Sequence, residues 1–171
     1  MTMTKTKKMT LCALFAALTC VATMIIKIPT LGTGGYIHLG DAFVVLSGIF
    51  LGPIHGGLAA GIGSALSDLL GGYFQYVPIT FIVKAVIAIV VYFVYHKLTK
   101  PISSSVIRCI ISGIFSTLLV ALGYFAFEIF LYGSAAVASI PANLIQGLSG
   151  LVISSFLLPF LSKAYTKISP T

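Results

Sequence analysis

The sequence predicts an all-α integral membrane protein, a six-transmembrane-helix bundle with a short second helix. Three observations favour this fold class. Hydrophobic residues make up 58% of the 171 and charged residues only 8%, whereas a soluble domain needs roughly 25% charged residues to face water. The apolar residues fall into runs of membrane length, and the basic residues flank them. The length suits one membrane domain over residues 1–171.

The apolar runs and the breaks between them predict each helix in order. Pro29 ends the first helix, Gly52 and Pro53 separate the second from the third, and Pro78 begins the fourth, since proline is tolerated in a first helical turn. The predicted helices cover about residues 9–28, 40–51, 53–71, 78–97, 104–131 and 140–161.

Helix 2 is short for a membrane crossing. About twelve residues at 1.5 Å each give roughly 18 Å, against about 30 Å of hydrocarbon. We expect this helix to tilt into a locally thinned bilayer or to cross only partly. A re-entrant hairpin with helix 3 is the alternative, and it would change the number of crossings.

The basic residues predict the orientation. With six crossings and the N-terminus inside, eight of the ten basic residues lie on the cytoplasmic side, as the positive-inside rule requires: Lys5, Lys7, Lys8, Lys97, Lys100, Arg108, Lys163 and Lys167. No basic stripe interleaved with aromatic residues is present, so the net charge of +7 does not indicate a nucleic-acid partner.

The polar residues of the predicted spans gather at one depth, near the outer ends of the helices. Charged side chains within a span are costly, by about 2.5–3.5 kcal/mol at a helix centre, and normally face an interior or a watery cavity. Headgroup contacts, an interfacial aromatic belt and helix–helix hydrogen bonds are the alternatives. The candidate substrate-binding residues are Tyr36, His38, Asp68, Tyr76, Lys84, Glu128, Asn143 and Gln146.

The loop "PTLGTGGYIHLGD" is predicted to form a mobile lid over this outer pocket. Its glycines, Gly32, Gly34, Gly35 and Gly40, permit close packing and movement. Asp41, at the far end of the loop, is expected to anchor the lid and to cap helix 2 through the helix dipole.

The sequence argues against catalysis. The three histidines are scattered without metal-ligand spacing, and there is no nucleophile elbow and no Walker motif. We therefore expect no metal, no cofactor and no ATP hydrolysis by this chain. Helix 1 carries Ala13 and Ala17, one turn apart, and small residues at that spacing let another helix approach closely.

Three blocks of the sequence, "GYIHLGDAFVVLSGIFLGPIHGGLAAGIGSALSDLLGGY", "VPITFIVKAVIA" and "IPANLIQGLSG", resemble the substrate-binding S components of energy-coupling factor (ECF) transporters. The similarity covers about residues 9–160 and is greatest to the branch that includes hydroxymethylpyrimidine and pyridoxine transporters. It implies a multi-pass protein of the bacterial plasma membrane, with both termini cytoplasmic, that captures a vitamin or vitamin precursor from outside.

The same resemblance implies partners: a transmembrane T component, on which Ala13 and Ala17 would dock, and two ATPase subunits. It also implies that the S component topples within the membrane to deliver its substrate. The choice between a pyrimidine, a pyridine, a flavin and another vitamin stays open. Two other functions also stay open: a small membrane enzyme with Asp68 or Glu128 as base, and a stand-alone facilitator or channel.

Overall fold

The computed structural model describes residues 4–29 and 36–168 and confirms the helical fold class. A π-helical turn (Val94–Leu98) continues the third helix, and a 3₁₀ turn (Gly133–Ala138) joins the fourth to the fifth. The helices are α1 (Lys5–Ile25), α2 (Asp41–Gly71), α3 (Val77–Phe93), α4 (Ser105–Tyr132) and α5 (Ser139–Ile168).

The first helix ends earlier than predicted, at Ile25 instead of near residue 28. The physical reason is Pro29, because a proline disfavours the helical conformation in the residue before it. Strand β1 (Ile28–Pro29) instead pairs antiparallel with strand β2 (Tyr36–Ile37). This pairing brings Tyr36 beside the end of α1.

Helix α2 reverses direction at Gly52, which divides it into a first arm (residues 41–51) and a second arm (residues 53–71). Gly52 has φ 82° and ψ −179°, a conformation that residues other than glycine rarely adopt. The Ser47 hydroxyl donates to the carbonyl oxygen of Gly56 at 3.1 Å, whereas a straight helix would separate the two by roughly 13 Å. The first and last turns of α2 therefore lie at the same end of the bundle.

Side chains from two other elements bond to the carbonyl groups at this reversal. The chain leaves the helical path at Gly52, so the last carbonyl groups of the first arm have no intrahelical donor, and Nε2 of His96 donates to the carbonyl oxygen of Ile49 at 2.9 Å. The Tyr165 hydroxyl donates to the carbonyl oxygen of Phe50 at 2.7 Å. The π-helical turn and the end of α5 are thereby fixed to the reversal.

The remaining packing places α2 at the centre of the bundle. It contacts α1, α3 and α5, while α4 packs against α3 and α5. The pairing of α4 with α5 is antiparallel: Cys109, early in α4, contacts Ser154, midway along α5, and Ser139, the first residue of α5, donates to Glu128, late in α4. The end of α4 and the start of α5 therefore lie together.

The predicted count of six separate membrane-long helices is not supported. Four segments of the described chain are long and apolar enough to cross a membrane: Lys5–Ile25, Asp41–Gly71, Val77–Leu98 and Ser105–Lys167. The difference arises because two of these segments contain a chain reversal. The first arm of α2, at 1.5 Å per residue, is only about 16 Å long and does not match the hydrocarbon thickness by itself.

Our first prediction concerns the close contact between α2 and α3. A Cβ added at Gly48 would fall inside van der Waals distance of the Ala88 carbonyl oxygen. We expect Gly48→Ala to lower the free energy of unfolding by about 1–3 kcal/mol, the usual cost of overpacking. Thermal unfolding of the purified protein in detergent measures this change.

Gly57→Ala is the matched control for Gly48→Ala. The added methyl group would first meet the flexible side chain of Ile89, at 3.3 Å, and alanine is favoured over glycine in a helix by about 1 kcal/mol. We expect Gly57→Ala to be neutral or stabilising. Equal losses in the two variants would contradict a specific α2–α3 contact at Gly48.

Candidate functional site

A polar cavity lies at the end of the bundle where α2 both begins and ends. Its volume is about 30 Å³, which is room for about two water molecules. Every side chain that lines it carries a hydrogen-bonding group, and three of them are tyrosines. The lining residues are Tyr36, His38, Asp68, Tyr76, Thr80, Tyr124, Glu128, Ser139, Asn143 and Gln146.

The structure brings seven of the eight predicted site residues to this cavity and leaves one out. Lys84 does not line the cavity; it is fully buried and its ammonium group pairs with Asp41. Three lining residues were missed. Thr80 lies one turn before Lys84 and Tyr124 one turn before Glu128, and this i, i+4 spacing is the signal that could have identified them. The third, Ser139, lies just before the predicted start of the last helix.

A buried network joins α2, α3 and α5 beside the cavity. The Lys84 ammonium donates to Oδ1 of Asp41, and the Gln146 side-chain amide donates from Nε2 to Oδ2 of Asp41 at 3.0 Å. Lys84 and Asp41 both have 0% exposure. Removing an ion from water costs several kcal/mol, so a buried pair is stable only when its other hydrogen-bonding positions are also filled. Here Gln146 bonds to the second carboxylate oxygen.

This network corrects the role predicted for Asp41. The residue does lie in the first turn of α2, where a carboxylate is favourable, but its oxygens bond to side chains of α3 and α5 and do not cap the helix. The physical reason is the stronger, charged donor that Lys84 offers. The lid glycines Gly32, Gly34 and Gly35 lie outside the described residues.

Tyr36 and Asp68 form one wall of the cavity. The Tyr36 hydroxyl donates to Oδ1 of Asp68 at 2.6 Å and lies 3.1 Å from Oγ of Ser67. Nζ of Lys27 lies over the Tyr36 ring, 4.5 Å from its centroid. Burial, and then the Asp68 carboxylate, raise the pKa of Tyr36 well above its ordinary value. Tyr36 therefore remains a protonated donor.

Glu128 forms the opposite wall with donors to both of its oxygens. The Tyr76 hydroxyl donates to Oε1 at 2.9 Å, and the Ser139 hydroxyl donates to Oε2. Asn143, one turn further along α5, donates to Oγ of Ser139 over a long 3.4 Å. Asn143 is thus held only weakly by the protein itself.

His38 is buried at the cavity with a defined tautomer. Its Nδ1 accepts a hydrogen bond from the Gly40 backbone N–H at 3.0 Å, and the residue is 5% exposed. Burial lowers the pKa of His38 to about 3. The imidazole is therefore neutral near pH 7 and carries its proton on Nε2, which is a hydrogen-bond donor.

A protein-family model and a solved structure that resemble this chain both concern S components of ECF transporters. Residues 3–167 match a protein-family model described as "ECF-type riboflavin transporter, S component". A protein of Pyrococcus woesei described as "Uncharacterized protein in gap 3'region" is 32% identical over 144 residues, which are 84% of this chain and 93% of that protein. The solved structure of the S component of a bacterial ECF transporter has a TM-score of 0.68 at 19% identity and covers 94% of this chain and 98% of its own. At that identity the structural likeness shows the fold alone.

Our second prediction follows from the neutral, buried His38. Between its folded pKa of about 3 and its ordinary value near 6.5, the unfolded chain binds more protons, so stability falls as the pH decreases. From about pH 7.5 to about pH 5 we expect His38 to contribute a loss of about 2 kcal/mol. The charged groups that act on it are Asp41, Lys84 and Lys27. Thermal unfolding at the two pH values measures the loss.

The variant His38→Asn separates this contribution from that of other titrating groups. Asparagine can accept the hydrogen bond from the Gly40 N–H and does not titrate. We expect its stability to fall less than that of the wild type over the same pH range, by about the 2 kcal/mol assigned to His38. An equal pH dependence in both proteins would show that His38 is not held neutral.

Proposed function

Because the chain belongs to the family of ECF-type transporter S components, we propose that it captures a small vitamin or vitamin precursor and delivers it inward as the substrate-binding subunit of an ATP-driven importer. The observation that carries this proposal is the cavity at one end of an apolar bundle, lined entirely by hydrogen-bonding side chains. A shared fold does not by itself define a ligand, so the ligand class is argued from the cavity.

The cavity favours a small hydroxylated nitrogen heteroaromatic, of the hydroxymethylpyrimidine or pyridoxine type. The tyrosine rings offer faces for stacking, and Asn143 and Gln146 offer amides that both donate and accept. Since the free volume is about 30 Å³, every vitamin must displace lining side chains, and a single small ring displaces fewest. Riboflavin is the second candidate, because it is named in the matching family model.

Direct binding distinguishes these ligands. The purified full chain is titrated calorimetrically with hydroxymethylpyrimidine, pyridoxine and riboflavin under one set of conditions. Tightest binding of one of the first two supports the proposed class. Tightest binding of riboflavin supports the second candidate and requires a much larger opening of the cavity.

We further propose that the chain crosses the plasma membrane six times, with both termini cytoplasmic and the cavity outside. The two reversals, at Gly52 and at Gly133–Ala138, support this count because each returns the chain to the opposite end of the bundle. The first arm of α2 is then the short second crossing. The excess of basic residues at the termini and around the link between α3 and α4 supports the orientation.

The proposed partners are a transmembrane T component and two ATPase subunits. Ala13 and Ala17 support a docking face on α1, because both are exposed, while Ala16 and Cys20 on the same helix are buried within the bundle. Two exposed small residues one turn apart leave room for a foreign helix to approach closely.

Our third prediction tests this docking face. Ala13→Leu or Ala17→Leu should abolish vitamin uptake and co-purification of the T component and ATPases, because added bulk blocks the close helix approach. Ligand binding by the isolated chain should be unchanged, since α1 contributes no lining residue to the cavity. Ala126→Leu, at an exposed alanine of α4, is the matched control and should preserve uptake. Normal uptake by both α1 variants would show that this face of α1 is not the docking surface.

Our fourth prediction concerns Asn143. Asn143→Ala should weaken ligand binding by about 1–3 kcal/mol, roughly five- to more than a hundred-fold, because a desolvated ligand group loses its partner. The stability of the ligand-free protein should stay near normal, since the bond of Asn143 to Ser139 is long and such bonds average about 0.6 kcal/mol in membranes.

Gln146→Ala provides the contrast to Asn143→Ala. It removes a donor from the buried Asp41 carboxylate, so it should lower the stability of the ligand-free protein as well as the affinity. Calorimetric titration and thermal unfolding measure both quantities for each variant. A large stability loss with unchanged affinity in Asn143→Ala would make Asn143 a packing residue.

A further inference from the structure

We propose that the cavity selects a ligand that carries hydrogen-bond donors on one edge of its ring, and that Asp68 is the residue that binds this edge. The ligand class is a nitrogen heteroaromatic that carries an amino group and a protonatable ring nitrogen, as an aminopyrimidine does. The inference rests on the proposed function and narrows its ligand class, since pyridoxine has no amino group and riboflavin presents carbonyl oxygens.

The first observation is an unpartnered oxygen on Asp68. The residue is 4% exposed and lines the cavity. Its Oδ1 accepts from Tyr36, and the Thr80 hydroxyl lies close enough to interact with the carboxylate, but its Oδ2 is buried and has no donor at hydrogen-bond geometry among the described residues. Buried polar atoms in folded proteins nearly always have a partner, and leaving one unpaired costs about 1–3 kcal/mol. An ionised carboxylate only accepts hydrogen bonds, so the missing partner is a donor.

The second observation is the orientation of Gln146, which is 2% exposed. Its Nε2 donates to Oδ2 of Asp41, and this assignment is fixed because the Asp41 carboxylate, paired with Lys84, cannot donate. The other heavy atom of the amide, Oε1, is an acceptor. A second lining residue can therefore also accept a hydrogen bond from a donor on the ligand.

The charges of the lining also favour a ligand that donates hydrogen bonds. Asp68 and Glu128 are both acidic, and no lysine or arginine among the described residues lines the cavity. The ammonium of Lys84 is held by Asp41, and that of Lys27 lies over the Tyr36 ring. A ligand that carries a positive charge on its ring would therefore meet carboxylates without a competing cation.

The lining also provides partners for a ligand hydroxyl. Nε2 of His38 is a donor, because Nδ1 accepts from the Gly40 N–H. The hydroxyls of Thr80 and Tyr124 share one hydrogen bond of 3.0 Å, and each oxygen can accept a further hydrogen bond from a ligand hydroxyl. An aminopyrimidine with a hydroxymethyl group fits this pattern, because its amino group donates to the Asp68 carboxylate and its ring nitrogen opposite the amino group, when protonated, is a second donor.

A pair of matched probes tests the inference on the purified full chain. The first probe, called the amino probe, is hydroxymethylpyrimidine with its amino group on the ring. The second, called the oxo probe, has a carbonyl group in place of the amino group, which turns a hydrogen-bond donor into an acceptor. We expect the wild type to bind the amino probe at least about tenfold more tightly, because the carbonyl oxygen would face the Asp68 carboxylate. Calorimetric titration measures both affinities.

Two variants assign this preference to Asp68. Asp68→Asn keeps the shape and removes the charge, so affinity for the amino probe should fall at least about tenfold while the oxo probe is affected less. Thr117→Val is the control: Thr117 is buried in α4, does not line the cavity and donates within its own helix, so the ratio of the two affinities should stay near that of the wild type. Thermal unfolding establishes that each variant is folded, and the wild-type preference remains a test if one is not.

The possible outcomes separate this inference from the proposed function. Equal binding of the two probes, tighter binding of the oxo probe, or an unchanged ratio in Asp68→Asn overturns the inference. Binding of pyridoxine or riboflavin but of neither probe overturns the ligand class and leaves vitamin capture standing. Failure of every ligand to bind, together with failure of the T component and ATPases to co-purify, would overturn the proposed function itself.

Discussion

The ion pair of Lys84 and Asp41 lies in the interior of a protein in which only 8% of the residues are charged. Its two ions come from different helices, and the second carboxylate oxygen is bonded by Gln146 from a third. Removing one partner of such a pair typically costs about 3–5 kcal/mol, because the other ion is left uncompensated in a medium that solvates it poorly. The pair therefore holds the start of α2 against α3 and α5. Gly150 permits the approach, since a Cβ there would collide with Asp41, and the cavity forms beside this junction.

The acidic residues of the described chain have different roles because they have different neighbours. Asp41 meets an ammonium group and becomes part of the scaffold. Glu128 has a neutral hydroxyl donor on each oxygen, so its charge is stabilised by Tyr76 and Ser139 without being cancelled. Asp68 has one oxygen bonded to Tyr36 and one that has no donor at hydrogen-bond geometry within the described parts of the chain. The three carboxylates therefore have three roles. Asp41 stabilises the packing of the helices, Glu128 forms a wall of the cavity with both oxygens already bonded, and Asp68 is suited to bind a ligand.

Sequence reasoning identified the all-helical class and the polar end of the bundle but not the number of helices, because hydropathy and the depth of a polar residue along a helix are local properties whereas a reversal within an apolar segment is not. It did not identify the partner of Lys84, because three acids lay at a similar depth and the choice among them depends on side-chain direction. It also placed the end of α1 too late, since the constraint that Pro29 imposes on Ile28 was given less weight than the apolar run. The β pairing that brings Tyr36 to the cavity involves two residues from each strand, too few to give an alternating pattern.

The chain reversal in α2 has a consequence for how this sequence can change in evolution. The reversal at Gly52 leaves the carbonyl group of Ile49 without an intrahelical donor, and His96, more than forty positions later, supplies one. A relative that loses the histidine but retains the reversal leaves a partly buried carbonyl group without its bond, at about 1–3 kcal/mol. A relative in which the helix continues through position 52 restores the intrahelical donor, and the histidine position is then released from this requirement. Positions 52 and 96 are therefore expected to covary, although they lie on separate helices and their side chains need not touch.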